Sequence, residues 1–149
     1  MKSTPLSMKL EMEKSSIYAV IDTNVVVSAL LSIDANSNPA VVLRAVLQGR
    51  IIPVFNEEIL DEYTDVLLRN KFHFDKSNIN IIISHIKRIG LKAERVIILD
   101  EIFPDSKDIV FYEVAMSKDD TYLVTGNTKH FPQKPFVVTP AEMVEILNS

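Results

Sequence analysis

Acidic and polar side chains stand where predicted secondary-structure elements end. Asp22 directly follows a run of five β-favouring residues at 17–21. Further along the chain, Thr125 ends another apolar run and Asn127 follows it after one glycine. Any of these side chains can cap a helix, but Thr23 and Asn24 would cap as well as Asp22, so a cap alone does not require a carboxylate there.

Three further carboxylates belong to predicted helices, one within a helix and two at a helix start. Glu62 stands three residues after Ile59 and four before Val66, on the flank of an apolar helical stripe, so it is expected to point inward. Asp105 and Asp108 bracket the start of another helix. A helix start favours one carboxylate as a cap, and two acids exceed that need.

A catalytic or metal-binding site built from these side chains would therefore offer oxygen atoms as ligands. The chain has no Cys and only three His, which argues against zinc, iron–sulfur and thiol chemistry. Carboxylates without soft ligands suit Mg²⁺ or Mn²⁺. Such ions activate water against a phosphodiester, and paired ions clamp both oxygens of an in-line displacement.

The composition of the chain excludes several classes of protein function. The 149 residues correspond to one domain, 47% are hydrophobic, and the formal net charge is −4. That charge argues against bulk electrostatic binding of nucleic acid. Three glycines leave no room for a phosphate-binding P-loop or a dinucleotide-binding turn.

Short apolar runs alternate with amphipathic stretches, which predicts an α/β fold. We predict strands at residues 17–21, 51–55, 95–99, 121–125 and 136–138. We predict helices at residues 25–31, at 40–48 after an Asn38 cap, and from the Asn56 cap through Leu67. Further helices are predicted from Asp75 or Ser77 to a stop at Gly90, at about 106–118, and from the Thr139 cap onward. Pro53 places the second strand near an edge of the sheet.

These elements predict an αβα sandwich with a mostly parallel central sheet of about five strands. In such sheets ligands bind beyond the carboxyl ends of the strands, where the acids stand. We expect residues 1–16 to form a flexible tail and residues 17–149 a single domain. No apolar run approaches the roughly 18 residues of a membrane span, and the lack of Cys fits a cytoplasmic protein.

Five ordered motifs together are similar to one known family. They are residues 17–25, 62–63, 105–115, 122–127 and 130–132. In this order they resemble the PIN-domain ribonucleases, most closely the VapC-type toxins of toxin–antitoxin systems. The resemblance implies an αβα fold and a Mg²⁺- or Mn²⁺-dependent endoribonuclease. It also implies a homodimer that a cognate antitoxin silences.

The resemblance assigns roles to individual positions. Asp22 matches the first metal-site Asp, Glu62 the helix-borne Glu, and Asp108 the Asp that opens the following helix. Asp105 is an accessory acid. Asn127 stands where many family members have a fourth Asp, so three acids remain, enough for one ion.

The predicted site follows from both arguments. The catalytic and metal-binding residues are Asp22, Glu62 and Asp108, supported by Asp105, Thr125, Asn127 and Asn24. The basic residues expected at the RNA-binding rim are Lys71, Lys87 and Arg88. We interpret His130 as a loop residue rather than a general base.

Two other classes compete with this prediction. One is a catalytically decayed PIN-like module that binds RNA or a protein partner without cleavage, because Asn127 replaces an acid. The other is phosphotransfer to an aspartate. It fits poorly because Asn24 occupies the position of the second Asp of haloacid dehalogenases, and Lys134 precedes the last strand instead of following it as in a receiver domain.

Overall fold

The computed structural model describes residues 16–149, so the predicted tail at residues 1–16 lies almost entirely outside the described residues. Within that range the strands are β1 (Ile17–Ile21), β2 (Ile51–Phe55), β3 (Leu91–Lys92), β4 (Thr121–Val124) and β5 (Val137–Val138). The helices are α1 (Thr23–Leu31), α2 (Asn38–Leu47), α3 (Glu57–Leu67), α4 (Lys76–Ile89), α5 (Ile109–Met116) and α6 (Pro140–Asn148). Short 3₁₀ turns form at Asn70–Phe72, Ser106–Asp108 and Thr128–His130.

The five strands form one parallel sheet in the order β3-β2-β1-β4-β5, flanked by helices. This arrangement confirms the predicted α/β class. β1 lies at the centre, and its Ala19 and Val20 are completely buried, as expected for a strand covered on both faces. The chain builds the sheet outward from β1 in one direction and then returns to place β4 on the other side. β1 and β4 therefore flank the topological switch point of the sheet.

Helix starts with local capping signals lie where the sequence predicts them. The side chains of Asn56 and Asp75 accept hydrogen bonds from backbone amides at the starts of α3 and α4. Thr139 and Glu142 form the reciprocal capping box of α6. The structure confirms these helix starts. They could be predicted because the capping partners are only two or three residues apart in the chain.

Other helix boundaries differ from the prediction. α1 begins at Thr23, two residues early. Ser37, not Asn38, caps α2 by accepting from the Ala40 amide at 3.3 Å. The helix predicted for residues 106–118 divides into the 3₁₀ turn Ser106–Asp108 and the shorter α5.

The strand predicted at residues 95–99 is wrong. The third strand is instead Leu91–Lys92, which follows α4 without a loop and pairs with the end of β2. The backbone amide of Ile98 donates to the Glu113 carboxylate at 2.7 Å, and the Val96 amide donates to the Glu113 carbonyl at 3.3 Å. Because α5 supplies these acceptors, the segment lies along the helix and joins no sheet.

β2 is second from the edge of the sheet, which agrees with its predicted place near an edge. β3 pairs with it only at Val54 and Phe55. Pro53, which has no N–H, is therefore paired on the β1 side alone. Within residues 16–149, no helix is both long and apolar enough to cross a lipid bilayer.

Candidate active site

Asp22 lies at the carboxyl end of β1, directly before α1. It occupies the N-cap position, but its side chain makes no capping hydrogen bond, and the residue is only 5% exposed. The alternative that Asp22 is simply a helix cap is thus not supported by its side-chain contacts. Its carboxylate faces the switch point between β1 and β4.

The end of β4 binds this carboxylate. The Asp22 amide donates to the Val124 carbonyl at 2.9 Å, which fixes the end of β1 beside β4. The Thr125 hydroxyl then donates to Asp22 Oδ2 at 2.8 Å and itself accepts from the Asn127 amide at 3.0 Å. Thr125 is fully buried, so its hydroxyl orients Asp22 and is not presented to a ligand.

Asn24 joins the same two strand ends. Its Nδ2 donates to Asp22 Oδ2 at 3.3 Å, and its Oδ1 accepts from the Gly126 amide at 3.1 Å. The side chain therefore bridges the loop after β1 and the loop after β4. The supporting role predicted for Asn24 stays a prediction.

Glu62 points inward from α3, as its place on the flank of the apolar stripe predicts. Its Oε2 accepts from the hydroxyl of the buried Thr23 at 2.7 Å. The next residue, Tyr63, is buried and donates its phenolic hydroxyl to the Ile21 carbonyl. These two contacts attach α3 to the end of β1 and bring Glu62 to the same edge of the sheet as Asp22. We call the edge that carries Asp22, Glu62 and Asp108 the acidic rim.

The acids before α5 have different roles. Asp105 caps the 3₁₀ turn by accepting from the Lys107 amide at 2.9 Å. Asp108 makes no capping bond; its Oδ2 contacts His130 Nδ1 at 3.1 Å. The amide nitrogen of Asn127 lies within 3.2 Å of both ring nitrogens of His130. Asp108 and Asn127 therefore meet at the imidazole of His130.

Electrostatic coupling shows that the acids share one environment. The pKa of Asp22 is raised to about 6, chiefly by burial and also by the charges of Asp108 and Glu62, although the hydrogen bond from Thr125 opposes the shift. The pKa of Asp108 is also raised, first by burial and then by Asp105 and Glu62, while His130 opposes the change. Repulsion between the acids contributes to both raised pKa values, but burial is the larger cause.

The available donors match a hard divalent cation in kind, because they are the oxygen atoms of three carboxylates and of the Asn127 side-chain amide. These oxygen atoms are farther apart than the ligands of a formed metal site. Among residues 16–149, no group of three or more His, Asp or Glu side chains is gathered closely enough to hold a metal ion. Each acid is instead engaged by a neighbour: Asp22 by Thr125, Glu62 by Thr23 and Asp108 by His130.

The basic residues predicted at an RNA-binding rim have local contacts of their own, and their role stays a prediction. Lys71 lies over the ring of Phe72, and Arg88 contacts His85 on α4. Lys87 lies in the last turn of the same helix. In the described part of the chain, no hydrogen bond or ion pair joins these three cations to the acidic site.

Two residues at the site were not selected from the sequence. His130, interpreted as a loop residue, contacts Asp108 and Asn127. Thr23, considered only as a cap, orients Glu62. Their proximity to motif residues was a usable signal, since His130 lies three residues after Asn127 and Thr23 directly follows Asp22.

The fold and the rim together define an α/β protein with acids at the switch point of a parallel sheet. Residues 18–129 match the PIN domain family, which is about three-quarters of the chain, so the protein belongs to that family. The PIN domain is a nuclease-type fold, and its members generally use divalent metal ions. A comparison with curated proteins gave no match.

Proposed function

We propose that this protein is a Mg²⁺- or Mn²⁺-dependent endoribonuclease that hydrolyses RNA phosphodiesters. One observation carries the proposal: the buried Asp22 carboxylate, bound by Thr125 at the switch point, is coupled electrostatically to Asp108 and Glu62. A carboxylate with so raised a pKa, facing two others at a ligand-binding edge, is typical of a functional site. The nuclease-type fold supplies the class of reaction.

The contacts of each residue indicate its role in the proposed reaction. Asp22 and Asp108 would hold the ion, and Glu62 would ligate it or orient its water. When bound, the ion supplies a water activated for attack and neutralises charge on the phosphate. Thr125 acts through Asp22, since its hydroxyl is already donated there. Asn127 lies beside His130, where its amide can position the phosphate.

A cleavage assay tests the proposal. A labelled RNA with single-stranded loops is incubated with the protein in Mg²⁺, in Mn²⁺ and in chelator. We expect cleavage only with metal, and a loss of about 10²-fold or more in Asp22→Asn and in Asp108→Asn. The exposed Asp65→Asn on α3 is the matched control, since its side chain is 77% exposed and it should cleave like the unmodified protein.

Two outcomes would contradict the proposal. Cleavage in chelator, or full activity of both site variants, would mean that the acids are not the catalytic group. RNA binding without metal-dependent cleavage would instead support the decayed binding module that the Asn127 position left open.

The biological role that we propose is the toxin of a toxin–antitoxin system, acting in the cytoplasm as a homodimer. The support is the resemblance of the five ordered motifs to VapC-type toxins. Expression should arrest growth, and co-expression of a small protein encoded beside this chain should relieve the arrest. Growth unaffected by the active protein would argue for a ribonuclease with another role. Sedimentation of the purified protein would decide between monomer and dimer.

A further inference from the structure

A cleft lies between the segment that follows β4 and the first turn of α6. Its volume is about 770 Å³, within the range of ligand-binding sites in proteins. The lining comes from residues 128–129, 131–135 and 137 together with Glu142.

One short turn connects the cleft to the acidic site. In the 3₁₀ turn Thr128–His130, the imidazole of His130 faces Asp108 at 3.1 Å, while Thr128 and Lys129 line the cleft. Asn127, which precedes the turn, also contacts His130. The cleft therefore begins where the acidic rim ends.

The charge of the cleft is opposite to that of the rim. Lys129 and Lys134 contribute two cations, and Pro132 and Pro135 contribute apolar surface. Lys134 is ion-paired with Glu101 at 3.3 Å, whereas Lys129 is exposed and has no ion pair in the described part of the chain.

Glu142 is the one acid in the lining, and its contacts commit it elsewhere. Its Oε1 accepts from the Thr139 amide at 3.0 Å in the capping box. A carboxylate keeps its negative charge when it accepts a hydrogen bond, so two lysines and one Glu leave the lining with a formal charge of +1. Because Lys134 is already ion-paired with Glu101, Lys129 is the main source of positive charge for a ligand phosphate.

A nuclease must hold the phosphates on either side of the one it cuts, and a protein of net charge −4 needs a local positive surface to do so. Lys71, Lys87 and Arg88 make no hydrogen bond or ion pair with the site acids in the described residues, whereas Lys129 directly precedes His130 in the chain. We propose that this cleft binds the RNA strand flanking the scissile phosphate, with Lys129 and Lys134 contacting backbone phosphates. The inference rests on the proposed ribonuclease function.

The test separates binding from cleavage. Fluorescence anisotropy measures the Kd of a labelled single-stranded RNA for Asp22→Asn in chelator, over a series of salt concentrations. Adding Lys129→Ala or Lys134→Ala should each weaken binding by about threefold or more. Each should also lower the slope of log Kd against log salt by about 0.7, the value for one lost phosphate contact on a single strand. Lys76→Ala, an exposed lysine at the start of α4, is the control of equal charge change.

The outcomes distinguish the two proposals. If the unmodified protein cleaves RNA with metal, but Lys129→Ala changes neither binding in the Asp22→Asn protein nor cleavage in the unmodified protein, the cleft is wrong and the ribonuclease stands. The cleft is also wrong if Lys76→Ala weakens binding equally, or if replacing Lys71, Lys87 and Arg88 is what abolishes it. If RNA is neither bound nor cleaved, both proposals fail. Lys129→Ala breaks no ion pair, so it remains informative even if Lys134→Ala fails to fold.

Discussion

At the scale of single residues, the charge of Asp22 is costly in the metal-free protein. Its pKa is raised from 3.8 to about 6, chiefly by burial. The folded state therefore binds a proton that the unfolded state releases, and stability falls as the pH rises through this window. The penalty is absent below about pH 3.8 and complete above about pH 6. It amounts to about 3 kcal/mol, from 1.36 kcal/mol per unit of pKa shift.

Asp22→Asn should remove this penalty, because an amide cannot ionise and its oxygen can still accept from Thr125. In chelator at about pH 7.5, we expect a higher free energy of unfolding than in the unmodified protein, by up to about 3 kcal/mol. The gain should shrink as the pH is lowered to about 4. Urea unfolding at both pH values measures it. The exposed Asp65→Asn should show no such gain, and a lower stability of Asp22→Asn at pH 7.5 would mean that Asp22 is a structural residue.

Asn127 occupies a position where a fourth carboxylate would change the binding of metal. Its side chain meets the imidazole of His130, which in turn contacts Asp108. Asn127→Asp should tighten Mn²⁺ binding by a factor of about 3 to 10, because added ligand charge strengthens binding of a hard cation. Calorimetry measures the Kd, with the exposed Asn80→Asp as the control. Unchanged or weaker binding would place Asn127 outside the metal site.

At the scale of elements, the segment between β3 and α5 is held by side chains instead of by a sheet. The Arg95 Nε donates to Glu113 Oε1 at 2.6 Å, and the Ile98 amide donates to the other carboxylate oxygen. The Glu113 side chain is only 4% exposed, so it depends on these partners. Arg95 also pairs with Glu58 on α3. The segment leads to Asp105, so this cluster helps to fix the approach to the site.

Arg95→Met should destabilise the protein by about 2–3 kcal/mol, because it leaves the buried Glu113 carboxylate without its cation. Arg69→Met is the matched control. Arg69 pairs with Asp65 on the surface of α3, where an exposed ion pair contributes at most about 1 kcal/mol. Chemical unfolding of both variants checks the difference. Equal losses would show that the Glu113 cluster contributes no more than a surface pair.

The elements that the sequence predicted well are those with local signals. Thr139 and Glu142 are three residues apart, and the helix they start is confirmed. The wrong strand at residues 95–99 had the right propensity, but the acceptor for its Ile98 amide is a carboxylate 15 residues away on α5. Ile97 and Leu99 are consequently 78% and 90% exposed. Propensity cannot predict a partner that only the tertiary fold supplies.

The candidate site likewise has features that the sequence could predict and features that it could not. Each acid could be selected because it stands beside a strand end or a helix start in the chain. The contacts between them could not, since Thr125 and Asp22 are 103 residues apart and Thr23 and Glu62 are 39 apart. The role of His130 depends on its contact with Asp108, across 22 residues. The residue types were readable from the sequence, and their pairing was not.

At the scale of the whole molecule, negative charge prevails, with 20 acidic against 16 basic residues. The acids at the switch point add local repulsion and burial to this excess, as the raised pKa values of Asp22 and Asp108 show. A bound divalent cation would offset both effects in the folded state. The unfolded chain, in which Asp22, Glu62 and Asp108 are no longer held near one another, would bind the cation far less. Folding stability should therefore depend on the metal concentration.

Mg²⁺ or Mn²⁺ at about ten times its Kd should stabilise the protein by about 1.4 kcal/mol through mass action. For a domain of this size, the melting temperature should rise by about 3–6 °C. A thermal melt at about pH 7.5, with chelator and with each metal, measures the shift. Asp65→Asn, which changes the net charge equally but lies on the exposed face of α3, should keep the full shift, whereas Asp22→Asn should lose most of it. If Asp22→Asn keeps the full shift, the ion binds away from the switch point, and Asp22, Glu62 and Asp108 do not form its site.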